Sequence, residues 1–270
     1  MSTIQGLGTQ GVQNTSSISE LSSSASVQML FAQLQLELSK TNKEAALEQI
    51  NEIRASQDSS KSYTSAINAL RSLQSYDVEK YGEISTDPAK IQEELNSLNS
   101  AISDVSSKIN SSTTGNVALS DSTMAYIDTR KEEGYFDFYR TSSKVTEYDT
   151  SKLSNRDNEH TQAELKDGLA ALETRKAALE NYLTALNSKS SSGTSVLSEA
   201  NVSIKSNFTS DDIKTWISNL ESSQEELGSD IQQKMVFVQD YMGQYNSYMQ
   251  GASSAISEYS NVLSTIARGQ

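Results

Sequence analysis

The chain has 270 residues, 35% of them apolar, and its 35 acidic against 22 basic side chains give a net charge of −13. No basic run is longer than two residues, which argues against nucleic-acid binding, because phosphate backbones are bound by clustered positive charge. Cysteine is absent, which excludes disulfides and thiolate metal sites. The apolar share is below the roughly 45–50% of globular domains and favours an elongated helical protein with a thin core.

Residues 1–26 are rich in Ser, Thr, Gln and Gly, and their first charged residue is Glu20. They lack the basic and apolar regions of a cleavable signal, and their composition predicts disorder. Nowhere does the chain approach the ~18 consecutive apolar residues of a membrane span, and we expect none.

A first long helix is predicted from about Val27 to Gln74, because apolar residues recur at spacings of three and four. The predicted stripe consists of Val27, Leu30, Phe31, Leu34, Leu38, Ala46, Ile50, Ile53, Tyr63, Ile67 and Leu70. The polar stretch 54–62 interrupts this stripe, which predicts a bend or a register shift there.

A helical hairpin is predicted in the region 88–195, which would be inserted between the two long helices. Asp87 and Pro88 form a helix start signal, with Asp as N-cap and Pro in the first helical position. Heptad repeats over 88–111 and 161–188 predict two coiled-coil strands, which we pair as an antiparallel hairpin. The repeats are Ile91, Leu95, Leu98, Ile102, Val105, Ile109 and, in the second strand, Leu165, Leu169, Leu172, Lys176, Leu179, Leu183, Leu186.

The segment 113–158 between these strands breaks the helical period. Apolar and polar residues alternate in 134–139 and 144–148, which predicts short strands in a small mixed segment.

A last helix is predicted from Ser210 to Ala267, beginning with a capping box at Thr209 and Asp212. After Gly228 its seam is predicted to shift by one residue and then to hold for five heptads. That seam is Ile231, Met235, Val238, Met242, Tyr245, Met249, Ala252, Ile256, Tyr259, Leu263 and Ile266. Only another long helix can cover it, so we predict a mainly α-helical fold with a central coiled coil of 27–77 and 207–268.

Four apolar residues of this helix lie outside the predicted seam, namely Phe237, Tyr241, Tyr248 and Val262. One interpretation is that they form an interface with other copies of the chain or with another protein, since Met and Tyr suit adaptable, half-exposed surfaces. The alternative is that the helix is central to its own bundle and is packed on two sides.

No catalytic, cofactor or metal site is predicted, and we expect no enzyme activity. His160 is the single histidine, and the spacing of Asn155, Asp157 and Glu159 lacks the Gly and Glu of a calcium loop.

The C-terminal segment 231–270, with its Gln-Lys-Met run, Tyr- and Asn-containing helix and Ser264–Ala267 finish, resembles the filament-forming hydrophilic translocators of bacterial type III secretion systems (EspA- and SseB-like). The long middle region is more similar to the needle-tip members of that group (IpaD- and LcrV-like). The likeness covers about 100 residues, counted over the first and last helices.

The resemblance implies a secreted virulence protein that acts at the bacterial cell surface, with residues 1–26 as its disordered secretion leader. It would assemble at the tip of a needle, or as a filament on it, and support insertion of the translocon into a host membrane. Implied partners are further copies of itself, the needle subunit, the hydrophobic translocator proteins and a cytoplasmic secretion chaperone. Whether it caps the needle or polymerises stays open, and a secreted helical membrane-active toxin is the alternative function.

Overall fold

The computed structural model describes residues 27–111, 117–132 and 162–268. These residues form seven helices and no strand, which confirms the predicted mainly helical class with long N- and C-terminal helices packed extensively together. The helices are α1 (Val27–Ser72), α2 (Val78–Tyr81), α3 (Pro88–Ser111), α4 (Asp121–Glu132), α5 (Gln162–Asn187), α6 (Val196–Glu199) and α7 (Ser210–Arg268).

Both predicted helix start signals are present. The Ala89 amide donates to the Asp87 carboxylate at 2.9 Å, directly before α3. At the start of α7, the Asp212 amide donates to the Thr209 hydroxyl at 3.2 Å, and the Thr209 amide donates back to the Asp212 carboxylate at 2.8 Å. Each contact satisfies an amide that the first helical turn leaves without a partner.

The chain divides into two compact units whose boundaries fall within the long helices. Unit 1 consists of Met1–Ser56 and Ser229–Gln270, and unit 2 of Gln57–Gly228. The two units are described separately below.

Unit 2 has a continuous core, to which α3 and α5 contribute the apolar residues of the predicted heptads, whereas Arg175 and not Lys176 is buried on α5. Ile91, Leu98, Leu172 and Leu179 are fully buried there. Aromatic rings from two further segments join this core. Phe208 stacks on Tyr182 with centroids 5.5 Å apart and tilts against Trp216 at 5.9 Å.

Two expectations concern the middle of the chain. The first needs correction, and the second falls on residues outside the described ranges. Asp121–Glu132 is the helix α4, not part of a mixed segment, and its Ile127 and Thr123 are buried. The predicted strands 134–139 and 144–148 and His160 lie outside the described residues.

α1 is helical throughout 54–62, where the sequence predicted a bend or a register shift. Ser56 and Ser59 are buried, so small polar residues continue the stripe where apolar ones are missing.

Candidate assembly surface

In unit 1, α1 and α7 run antiparallel. The Ser39 hydroxyl lies 3.3 Å from the Met249 sulfur, and Lys234 pairs with Glu52 at 3.1 Å, so residue numbers fall on α7 as they rise on α1. The two helices therefore form an antiparallel pair.

The contact face of α1 is small and polar. Most of its buried and half-buried residues follow an alternation of three and four, as in a heptad seam. These are Ala32, Gln35, Ser39, Asn42, Ala46, Gln49, Ile53 and Ser56, and Ala45, Ile50 and Ala55 are half-buried beside them. The stripe predicted for α1 is right in part: Ala46 and Ile53 lie in this face and Ile50 is half-buried beside it. Its first members, Val27, Leu30, Phe31, Leu34 and Leu38, are exposed instead.

The contact face of α7 follows the same alternation and includes four tyrosines. It consists of Ile231, Lys234, Val238, Tyr241, Tyr245, Tyr248, Ala252, Ala255 and Tyr259. Ala252 and Ala255 are its most buried members, which fits a close approach to the small residues of α1.

Lys234 occupies a seam position that the prediction gave to Met235. Its ammonium reaches Asp230 at 2.8 Å and Glu52 at 3.1 Å. The hydrogen bond to Asp230 is the largest influence and raises the pKa of Lys234, while partial burial opposes it. The Lys234 stem covers the seam while its charge stays paired at the edge.

The structure thus places the predicted seam residues in two groups. One row, Ile231, Val238, Tyr245, Ala252 and Tyr259, lies in the contact with α1. The other row, Met235, Met242, Met249, Ile256 and Leu263, is 38–49% exposed. The Ile266 side chain is outside the described part of the chain. Of the predicted interface residues, Phe237 and Val262 are exposed, whereas Tyr241 and Tyr248 are half-buried in the seam.

The exposed row borders the seam on one side of the helix pair. Four of its members directly follow the second residue of a seam pair, as Met242 follows Tyr241, and Leu263 continues the row one heptad further. Leu36, Lys43 and Ile50 hold the equivalent positions on α1. Both helices are right-handed and they run antiparallel. Residues that directly follow a seam position on either helix therefore lie on the same side of the pair. We call this surface the Met flank: Leu36, Met235, Met242, Met249, Ile256 and Leu263.

The opposite side of the pair mixes charged and apolar side chains, since Glu52, Asp230 and Glu258 precede seam positions there. Phe31, Leu38 and Phe237 directly precede seam positions, and they are 48%, 36% and 52% exposed. We call these three residues the Phe flank. Positions beside a two-stranded seam commonly carry charged side chains, so apolar residues there are typical of helices with more than one partner.

Exposed large apolar side chains are confined to unit 1 among the described residues. They number sixteen: Val27, Met29, Leu30, Phe31, Leu34, Leu36, Leu38, Leu47, Met235, Val236, Phe237, Met242, Met249, Ile256, Val262 and Leu263. Each is roughly 36–79% exposed, and together they make the surface of unit 1 more apolar than that of unit 2.

Unit 2 holds a second notable cluster, around Arg175, which sequence reasoning missed by assigning the seam position to Lys176. The Arg175 side chain is 1% exposed. Its guanidinium donates to both carboxylate oxygens of Glu94, at 3.0 and 3.1 Å, and to the Tyr76 hydroxyl. It also donates to the backbone carbonyls of Gly82 and Glu83 at 2.9 and 2.8 Å.

Burial lowers the pKa of Arg175, but Tyr76 and Glu94 outweigh it and raise the pKa above its ordinary value. The guanidinium joins α3 and α5 to the segment between α1 and α3. All its described contacts satisfy a buried charge, so the cluster is structural.

Within the described residues, no three acidic or histidine side chains come together as a metal site. None of the described helices is long and apolar enough to cross a membrane. Comparisons with protein-family models, with curated proteins and with solved structures found no match.

Proposed function

We propose that this protein is a secreted structural subunit that assembles at the tip of a type III secretion needle, or as a filament on it, and supports translocon insertion into the host membrane. The single observation that carries the assembly role is the confinement of exposed large apolar side chains to unit 1. Unit 2 covers its core, whereas unit 1 presents surface that water disfavours and a neighbour would cover.

The composition of this surface supports a protein neighbour. No charged residue occurs between Tyr241 and Ser257, or between Val27 and Leu36. A helix that lies on an anionic membrane usually carries Lys and Arg along its polar face, and these stretches have neither. The needle subunit, the hydrophobic translocators and a secretion chaperone are the partners that the family resemblance adds to this proposal.

Electron microscopy of isolated needles, labelled with an antibody to this protein, tests the proposal. We expect label at needle ends or along a filament beyond them. Secreted protein that never labels needles would contradict the proposed function. Leakage of liposomes by the purified protein alone would favour the membrane-active toxin instead.

A further inference from the structure

We propose that unit 1 opens as a unit of its own: residues 27–56 of α1 separate from residues 229–268 of α7 while unit 2 stays folded. Such opening belongs to the single chain and occurs whether or not the protein reaches a needle. Both helices continue into unit 2, so the two segments stay attached to a folded unit when they separate. Opening uncovers the tyrosines of the α7 contact face.

The side chains that unit 1 buries are all small. Among its described residues they are Ala32, Ser39, Ala46, Ser56, Ala252 and Ala255. Larger members of the seam, such as Ile53, Val238 and Tyr245, are only half-buried. Because hydrophobic stabilisation scales with the apolar area removed from water, a seam of buried alanines and serines contributes little of it.

Unit 2 buries large side chains instead. Leu70, Leu98 and Leu172 are 0% exposed, and Tyr182 is 1% exposed. Its core joins residues of α1, α3, α5 and α7 in one cluster. Proteins open locally in cooperative units whose free energies of opening differ, and units with few buried apolar contacts open first. Unit 1 therefore opens at a much lower free energy than unit 2.

The polar contacts described between α1 and α7 in unit 1 are weak. Lys234 pairs with Glu52 at 3.1 Å, but the two side chains are 21% and 46% exposed, so water screens the pair. The Ser39 hydroxyl lies 3.3 Å from the Met249 sulfur, which is a weak acceptor. Neither contact compensates for the small buried side chains.

The part of α7 in unit 1 also has a low intrinsic preference for the helix. Residues 229–268 include Gly243, Gly251 and seven serines, and both residue types disfavour a helix relative to alanine. No charged residue lies between Tyr241 and Ser257, so ion pairs one turn apart do not support this stretch. Helices in proteins gain most of their stability from packing. Once α1 separates, the amides of this segment therefore exchange with solvent.

Native-state hydrogen exchange of the full-length protein, read by mass spectrometry, measures both openings. We expect peptides from 32–52 and 231–259 to exchange at least about 100-fold faster than peptides around Leu98 in α3 and Leu172 in α5. A protein concentration of about 1 µM keeps contacts between copies from masking the opening of one chain.

A substitution in the seam tests whether the two segments open together. Gln49→Leu places an apolar side chain at a half-buried seam position of α1. It should slow exchange about tenfold throughout unit 1, including the distant α7 peptide 248–259, and leave unit 2 unchanged. The matched control is Gln33→Leu, which makes the same change at an exposed position of α1 and should alter neither unit.

Three results would overturn the inference. The first is equal protection of the two units in the wild type. The second is slower exchange of both units in Gln49→Leu, which indicates one cooperative transition. The third is unchanged exchange of the α7 peptide 248–259 in Gln49→Leu, which indicates that the helices fray independently.

Discussion

Arg175 is tolerated in the core of unit 2 because its donors meet a carboxylate, a phenol hydroxyl and backbone carbonyls. The helix period alone gave no reason to choose it over its neighbour Lys176, whose side chain is 34% exposed and pairs with Glu180 at 3.8 Å. The choice depends on Glu94 and on the carbonyls of 82 and 83, which come close only in the folded chain. A buried guanidinium of this kind contributes specificity to one packing arrangement.

Replacing Arg175 with Ala should lower the free energy of unfolding by about 3–5 kcal/mol, because Glu94 and two carbonyls lose buried partners. Lys176→Ala, one residue along, should change it by no more than about 0.5 kcal/mol. Urea denaturation of the two variants measures the difference. Equal losses would refute the structural role of Arg175.

Asp212 makes the start of α7 sensitive to acid. The Thr209 amide, then Lys205 and the Thr209 hydroxyl, lower the pKa of Asp212 from 3.8 to about 2. A depressed pKa means that the carboxylate stabilises the folded state above about pH 4 and that this contribution is lost as the pH falls towards 2.

We therefore expect the wild type to have a higher urea midpoint than Asp212→Asn at pH 6, and the gap to close by pH 2. Midpoints measured at intervals across this range test the prediction. A gap that stays constant with pH would contradict it.

At the scale of the element, the sequence predicted the helices better than their contact faces. The caps of α3 and α7 and the heptads of α3 and α5 were readable because each signal is local. The seam of α7 could not be predicted in the same way. Two heptad patterns overlap there, and both include Val238 and Tyr245. Because Met is apolar and Lys is charged, the prediction placed Met235 in the seam instead of Lys234. That choice required the predicted seam to shift by one residue after Gly228. The burial pattern runs on without that shift, through Leu220, Gln224, Leu227, Ile231 and Lys234.

The contact face of α1 was missed for a related reason. Ala, Ser, Asn and Gln do not register as a hydrophobic stripe, although small residues allow two helices to approach closely. The neighbouring Leu and Phe residues stood out more strongly and were assigned to the seam. The helix α4 was missed because its apolar residues are too few to set a period.

The outer face of α7 contains a glycine that packing does not require. An added Cβ at Gly243 would meet nothing within 4 Å, so Gly243→Ala should stabilise the helix by about 0.5–1 kcal/mol through backbone entropy. At Gly251 the Cβ would come 3.3 Å from the Gln35 side chain, so the gain from Gly251→Ala should be smaller. Thermal unfolding of both variants measures this difference, and an equal or larger gain at Gly251 would contradict the close approach.

At the scale of the whole molecule, the two units differ in how completely they bury their apolar side chains. Unit 2 places its large apolar residues inside, around Leu98, Leu172 and Phe208. Unit 1 uses a thin seam and leaves its bulkiest residues outside. The helices could be predicted from the sequence, but the difference in burial between the two units could not. It depends on which face of α1 contacts α7 and which face of α7 contacts α1.

The most direct test of the central claim, that the Met flank is an intermolecular surface, measures thiol reactivity. The chain has no cysteine, so Met242→Cys provides a single thiol on this flank, and Gln250→Cys provides a matched one on the outer face of α7. A maleimide reagent should label both thiols quickly in the monomer. In needle-bound or assembled protein, we expect the thiol at 242 to be protected while that at 250 stays reactive. Equal labelling of position 242 in both states, or its protection already in the monomer, would contradict the account.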